Sequence, residues 1–221
     1  MKPKALIAWS SGKDSAWALH KVREAGEIDV VGALTTITEN FERVSMHGVR
    51  TEILDAQLHA AGLPIHAVMI PFPCPNEIYE KQMAAAMERT KRQGVTHIIF
   101  GDLFLEDIRA YREEKLRGTG ITTLFPLWGQ PTGKLAREMV AGGLKARIVT
   151  LDPKKLPREF AGRSFDEALL GELPEGVDPC AENGEFHTCV LGGPMFDREI
   201  KVSDGDVVER DGFVFADLKL A

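Results

Sequence analysis

Apolar and polar positions switch repeatedly between two periods along the first 127 residues. Ala5, Leu6, Ile7, Ala8 and Trp9 form a run with no polar break, which predicts a strand buried on both faces. Residues 15–24 then take up helical spacing, and 29–36 (Asp-Val-Val-Gly-Ala-Leu-Thr-Thr) read as a second buried strand. Within 50–61 the positions Leu54, Leu58 and Ala61 follow a helix, which Gly62 and Pro64 stop. A third strand at 65–70 runs into a loop punctuated by Pro71, Pro73 and Pro75. The helix at 76–92 carries Tyr79, Met83, Ala86 and Met87 on one face and ends at Gly94. Residues 97–100 and 122–125 are a fourth and a fifth strand, with a polar helix between them. Strands alternating with helices imply right-handed crossovers, hence an α/β fold with a parallel, doubly wound sheet. Ligands in such a sheet sit at the carboxyl ends of the strands, here the tips 9–15, 35–50, 71–75, 101–112 and 126–132.

Beyond Trp128 the pattern weakens. Thr132 is placed to cap a helix reaching Met139, Gly142-Gly143 ends it, and 146–151 is a further strand. A loop-rich stretch with Pro153, Pro157, Pro174 and Pro179 follows. The last segments read as a meander of 199–203, 206–210 and 213–218, with Asp204-Gly205 and Asp211-Gly212 as its turns. The division this suggests is a nucleotide domain at 1–127 and a smaller α+β domain at 128–221.

The first dense chemistry follows the first strand: Ser10-Ser11-Gly12-Lys13-Asp14-Ser15. A strand, a short loop of small residues and a helix start make a phosphate site, because the backbone can approach the anion and the first helical turn has free N–H groups. Ser15 is placed to cap the helix, whose dipole favours negative charge there. The spacing is neither the Gly-x-x-x-x-Gly-Lys-Ser/Thr nor the Gly-x-Gly-x-x-Gly pattern. It resembles the Ser-Gly-Gly-x-Asp-Ser loop of the PP-loop ATP pyrophosphatases, with Ser11 in place of the first glycine. These enzymes cleave ATP between the α and β phosphates.

Charge and cysteines narrow the field. The net charge of −6 argues against a dedicated nucleic-acid surface; the local basic residues Lys145, Arg147, Lys154, Lys155 and Arg158 read as solvated charge. No apolar stretch reaches the ~20 residues that cross a bilayer. The N-terminus enters a strand without the regions of a signal peptide, and three cysteines make no disulfide framework, so a cytoplasmic protein is expected.

A second constellation spans Cys180 to Cys189: Cys-Ala-Glu-Asn-Gly-Glu-Phe-His-Thr-Cys. Glu182, Asn183, Glu185, His187 and Thr188, with Gly184 among them, place two carboxylates, an amide, an imidazole and a hydroxyl within seven residues. Such a cluster can orient an amine or an acyl group, and equally can be a polar loop tying two domains together. A zinc site from Cys180, His187 and Cys189 lacks a fourth ligand.

The loop at 10–15, Phe-Pro-Leu-Trp-Gly at 125–129 and Glu-Asn-Gly-Glu-Phe-His-Thr at 182–188, in that order, resemble the diphthine–ammonia ligase family over essentially the whole chain. The resemblance implies an adenine nucleotide α-hydrolase-like domain and a family-specific C-terminal domain. It implies adenylation of a carboxylate with release of pyrophosphate, followed by displacement of AMP by ammonia. In the eukaryotic and archaeal enzymes that carboxylate belongs to diphthine on translation elongation factor 2. Where those enzymes carry Gly-Ala and a Tyr-Gln-Arg-like segment, this chain has Gly101-Asp102 and then 103–113, a variant that looks like a bacterial branch. Bacteria lack diphthamide, so the ATP chemistry carries over and the diphthine substrate does not.

Roles follow from side-chain chemistry on that frame. Backbone amides of 11–15, the hydroxyls of Ser10 and Ser15, and Lys13 would hold phosphates, with Lys13 and Asp14 expected at an exposed strand tip. Asp14, and Asp102 as a second ligand, would hold Mg²⁺. Trp9, Leu34, Thr35 and Gly101 would border the nucleotide, with ordinary core packing an equal reading for the strand residues. Arg109 and Arg112, three apart on one helix face, would offset charge at the α-phosphate or bind the acceptor carboxylate, and equally read as surface arginines paired with Glu106 or Glu113. His47, on the tip after the second strand, would face the acceptor, and Glu182, Glu185 and His187 would orient ammonia or the acyl group. Trp128 with Gly129 would shape the wall between the domains, although a buried structural tryptophan is the favoured reading there. A PP-loop sulfurtransferase acting on RNA, and a nucleotide-binding module without catalysis, are the alternatives. Edge strands in the meander are compatible with a homodimer.

Overall fold

A computed structural model describes residues 1–39, 43–44 and 47–221 of the chain. The strand β1 (Lys4–Ala8) sends Ala5 and Ile7 into one core and Leu6 into another, the period-two split of a strand covered on both faces. It pairs in parallel with β2 (Asp29–Thr38) and, on its other side, with β5 (Val95–Ile99). The parallel strand β4 (Ile65–Ile70) lies outside β2, and β6 (Thr122–Leu124) outside β5, which gives the order β4-β2-β1-β5-β6. A two-residue strand β3 (Arg43–Val44), unread in the sequence, runs antiparallel to the end of β2. The strand order reverses at β1, so the tips of β1, β2 and β5 diverge into a crevice.

Helices α1 (Lys13–Ala25), α2 (Thr51–Ala60) and α5 (Thr132–Ala141) cover one face through residues such as Trp17, Leu54 and Met139. On the opposite face α3 (Asn76–Arg92) brings Ala86 and Met87 and α4 (Glu106–Leu116) brings Leu116. A second, antiparallel sheet is built from β7 (Lys145–Leu151), β8 (Phe186–Gly192), β9 (Val202–Arg210) and β10 (Phe213–Leu220), in the order β8-β7-β10-β9. Its residues Ile148, Val190 and Val214 pack in the same core as Ala5 and Trp17. The short helix α6 (Glu167–Glu172) is capped by Asp166, whose side chain accepts the Leu169 N–H at 2.9 Å.

Four local expectations are corrected. Asp211-Gly212, with φ of 53° and 80°, is a hairpin turn, but Asp204-Gly205 lies inside β9. A Cβ on Gly205 would come within 2.8 Å of the Asp217 carboxylate, so this glycine marks a close approach and not a reversal. Nor is 199–203 a separate strand: β9 begins at Val202, and the missed strand is β8, whose first residues belong to the polar 182–188 cluster. Helix α1 starts at Lys13 with Gly12 as its N-cap, which puts Ser15 in the first turn. Pro131 precedes α5, making Thr132 its first residue and not its cap.

Candidate active site

The crevice at the tips of β1, β2 and β5 is a cavity of about 760 Å³. The β1–α1 loop contributes Trp9, Ser10, Lys13, Asp14 and Ser15 to its lining. Thr35 from the end of β2, with His47 from the following segment, adds a second wall. Gly101 and Asp102 after β5, with Arg112 from α4, form a third. Glu182, Gly184, His187 and Thr188 close it from the C-terminal part of the chain. Of the tip 35–50, residues 40–42 and 45–46 lie outside the described residues.

The loop is knit by its own hydroxyls. Ser15 Oγ donates to the Gly12 carbonyl at 3.0 Å and lies 3.3 Å from Ser10 Oγ. Ser11 adopts a left-handed φ of 71°, a conformation that costs a non-glycine residue roughly 1–2 kcal/mol and that glycine meets freely. That explains physically why glycine suits this position in the motif. Compensation comes from behind: the Ser11 carbonyl accepts the Val190 N–H at 2.9 Å and the Gln57 amide at 3.1 Å. Thr188 Oγ1 accepts the Lys13 N–H at 3.0 Å, so a residue of β8 caps α1.

Lys13 corrects an expectation. Its side chain is 3% exposed, not at an open tip, and its ammonium donates to Asp14 Oδ2 at 2.8 Å and to the carbonyl of Cys180. The rings of Phe165 and Phe186 each lie 5.8 Å from Nζ. Burial alone would lower the Lys13 pKa, but Asp14 and the neighbouring Cys180 and Glu182 outweigh it and raise it, so the ammonium is charged. Asp14 keeps one oxygen, Oδ1, buried at the cavity without a hydrogen-bond partner among the described residues, and so does the Thr35 hydroxyl. Unpaired buried acceptors at a cavity wall are groups a ligand would satisfy.

His47 and His187 pack with ring centroids 4.7 Å apart and their planes tilted by 40°. His47 Nδ1 lies 3.0 Å from the Thr188 carbonyl; a carbonyl only accepts, so Nδ1 carries the proton and Nε2 a lone pair. Burial and the neighbouring His187 lower His47 to about 3, and burial with Lys13 lowers His187 to about 4. Glu182 Oε1 accepts the N–H groups of Leu103 at 2.7 Å and Phe104 at 3.4 Å, yet burial raises its carboxyl to about 7. The signs set the acid limb of stability. Between pH about 6.5 and 4 the unfolded chain binds protons at both imidazoles that the folded chain refuses, so stability falls as pH drops. Glu182 acts oppositely, since its folded carboxyl binds a proton between pH about 7 and 4.5, and Asp14, which burial also raises, acts with it. His66 and Asp217, both lowered, join the two imidazoles on the side of loss. Urea unfolding across pH 7 to 4 should show a net loss, made shallower in the His47→Gln, His187→Gln double variant. Equal slopes would contradict the burial of neutral rings.

The remaining expected residues stand elsewhere. Arg109 pairs with Glu113 at 2.7 Å and stacks on Phe125 and Trp128, outside the cavity lining. Trp128 therefore holds Arg109, and no contact places it in the cavity wall. Arg112 does line the cavity, but as the ion-pair partner of Asp102 at 2.7 Å, which occupies the carboxylate expected to bind metal. Glu185 is buried and accepts the Asp178 N–H at 3.0 Å and the Asn183 amide at 3.2 Å, so both side chains brace the loop from within. The basic residues Lys145, Arg147 and Arg158 are paired with Glu199, Asp204 and Glu209.

Sequence reasoning missed Gln57. Fully buried, it accepts the Trp9 indole N–H at 3.1 Å and donates to the carbonyls of Ser11 at 3.1 Å and Val190 at 2.7 Å. The available signal was a polar residue in phase with Leu54 and Ala61 on the apolar face of α2. Tyr79 and Met83, which with Ile108 make an apolar end of the cavity, were read only as helix packing.

Residues 1–123 match the family described as the diphthamide synthase N-terminal domain, and residues 131–218 the diphthamide synthase C-terminal domain. The chain is 26% identical to the diphthine–ammonia ligase of Homo sapiens and 28% identical to that of Mus musculus, in each case over 98% of this chain and 88% of the relative. A diphthine–ammonia ligase of Schizosaccharomyces pombe is 33% identical over 44% of this chain, a segment that spans 17% of the yeast protein. With both halves of its cavity falling inside matched domains, the chain belongs to the diphthamide synthase family.

Proposed function

We propose that this chain, whose relatives are named diphthine–ammonia ligases, is an ATP-dependent carbon–nitrogen ligase that adenylates a carboxylate, releases pyrophosphate and transfers ammonia to the acyl group. The observation that carries the reading is the bond between Lys13 N–H and Thr188 Oγ1, which joins the phosphate loop to the 182–188 cluster across 175 positions of sequence. Acyl-adenylate chemistry needs both groups in one cavity, because the acid must meet the α-phosphate in line with the departing pyrophosphate.

In this reading the loop amides and the hydroxyls of Ser10 and Ser15 hold phosphate oxygens, and Thr35 and Trp9 border the nucleoside. Magnesium fits the donor set only in part. Asp14 offers a free oxygen, Asp102 is engaged by Arg112, and no group of three ligating side chains occurs among the described residues. That suits an ion held by one carboxylate with phosphate oxygens and water, where it would neutralise charge on the polyphosphate. Arg112, and not Arg109, borders the reacting region. The lone pair at His47 Nε2 and the Glu182 carboxylate are acceptors, which suits ammonia, the N–H donor of the reaction, better than phosphate. The assignment of 1–127 to nucleotide and 128–221 to acceptor belongs to the same proposal, as do a cytoplasmic setting and a carboxylate acceptor on a small molecule or a modified protein. No helix among the described residues is long and apolar enough to cross a membrane. The sulfurtransferase reading is disfavoured by the net charge of −6, unsuited to an RNA surface, and by burial that pushes the Cys180 and Cys189 thiols up to about 12, which leaves Cys74 on the cavity wall as its one candidate among the described cysteines.

The nucleotide product tests the reading. With ATP, Mg²⁺, ammonium and a panel of carboxylic acids or cell extract, AMP and pyrophosphate are expected. ADP and orthophosphate would overturn the α–β cleavage.

A further inference from the structure

The loop from Asp178 to Thr188 is held by His47 at the Thr188 carbonyl, by Lys155 at the Asn183 carbonyl, and at three further places, the first of them internal to the loop. Asp178 Oδ2 accepts the Glu182 N–H at 2.9 Å, and Asp178 N–H donates to Glu185 Oε1 at 3.0 Å, which closes the loop on itself. Glu182 reaches the Leu103 amide after β5. At the third anchor, one residue of the phosphate loop makes two bonds to this loop: the Lys13 backbone N–H to Thr188 Oγ1, and the Lys13 ammonium to the Cys180 carbonyl. The ammonium is thus directed away from open solvent and into the joint between the two motifs, with Phe165 and Phe186 about its head.

We infer that Lys13 is a positioning residue whose side chain ties the 178–188 loop to the start of α1, coupling nucleotide held at residues 10–15 to acceptor chemistry at 182–188. The inference rests on the ligase reading for what is coupled, but the tie itself is a property of the chain. Phosphate bound at the loop favours the ordered start of α1, and that order is shared with Thr188 and Cys180. Coupling of this kind is reciprocal: a ligand that favours one ordered loop favours the other. A lysine that instead served as a free phosphate cation would leave the 178–188 loop indifferent to its removal.

The test is amide hydrogen exchange of the full chain, with and without ATP and Mg²⁺, alongside a direct ATP titration. The variants are Lys13→Met, which keeps the buried stem, and Thr188→Val with its rescue Thr188→Ser. In the wild type, ATP should slow exchange across 178–188. In nucleotide-free Lys13→Met that segment should exchange about ten-fold faster or more, and ATP should no longer slow it, while ATP affinity changes by less than about three-fold. Thr188→Val should shift the same amides in the same direction and Thr188→Ser restore them, which carries the test if Lys13→Met does not fold. Unchanged exchange at 178–188 in both variants would overturn the proposal. So would a loss of ATP affinity of about ten-fold or more with that segment undisturbed, which is the signature of a direct phosphate contact. Failure of the wild type to bind ATP would appear in the titration and would sink the ligase reading; the tie would still be decided by the nucleotide-free exchange rates.

Discussion

Lys13→Ala should lower the unfolding free energy by about 3 kcal/mol, the lower end of what breaking a buried pair costs. Three losses act together. The Cys180 carbonyl loses a charged donor, the space between Phe165 and Phe186 loses an aliphatic stem, and Asp14 loses its counter-ion. The lower end of the range applies because the Asp14 side chain is 28% exposed and water at the cavity can partly solvate it. Urea unfolding at neutral pH measures the effect. A loss below about 1 kcal/mol would mean that the ammonium is not held where these contacts place it.

Gly101→Ala should damage nucleotide binding and folding together. The tip of β5 passes so close to α1 that a Cβ on Gly101 would lie 2.8 Å from the Asp14 carbonyl carbon and 2.9 Å from the Ser15 nitrogen. Both are backbone atoms and cannot swing aside, so the helix start must move. Overpacking of this kind costs about 1–3 kcal/mol. Displacing the phosphate loop by an ångström should weaken ATP binding or turnover by about a hundred-fold. Gly133→Ala is the control. A Cβ there meets only Arg137 Nη1 at 3.7 Å, within helix α5, and the change should be neutral or slightly stabilising. Wild-type ATP affinity and turnover in Gly101→Ala would remove the close approach from the account.

What could be read along the chain was what local physics decides. Parallel strands are apolar-rich segments bounded by turn residues, so β1, β2 and β4 and the tips around them emerged from the apolar pattern, and with them the position of the cavity. The 10–15 loop was recognisable because its small residues sit between a strand and a helix. What stayed hidden depends on chain segments far apart. Nothing near Lys13 announces that β8 and the Cys180 loop will cover it, so a cation on a loop tip read as exposed. The polar residues of 182–188 concealed the start of β8, because Thr188 and His187 face the cavity and interrupt its apolar pattern. Asp204-Gly205 carried a turn signal whose cause was the Asp217 carboxylate, which is held in turn by Arg43 and Arg50 from the distant N-terminal half of the sequence. Gln57 was legible in principle, as a polar residue on the inward face of a helix, and its three partners show why that face tolerates it.

Pyrophosphate exchange reports adenylation of the acid itself. The wild-type chain is incubated with ATP, Mg²⁺, labelled pyrophosphate and a carboxylic acid acceptor found by screening, in the absence of ammonium. Reversible adenylation of the acid predicts that label enters ATP, that the incorporation depends on the acid, and that His187→Ala loses it while ATP binding stays within about three-fold. No incorporation, together with release of the γ-phosphate as orthophosphate and formation of ADP, would contradict the cleavage between α and β phosphates on which the account rests.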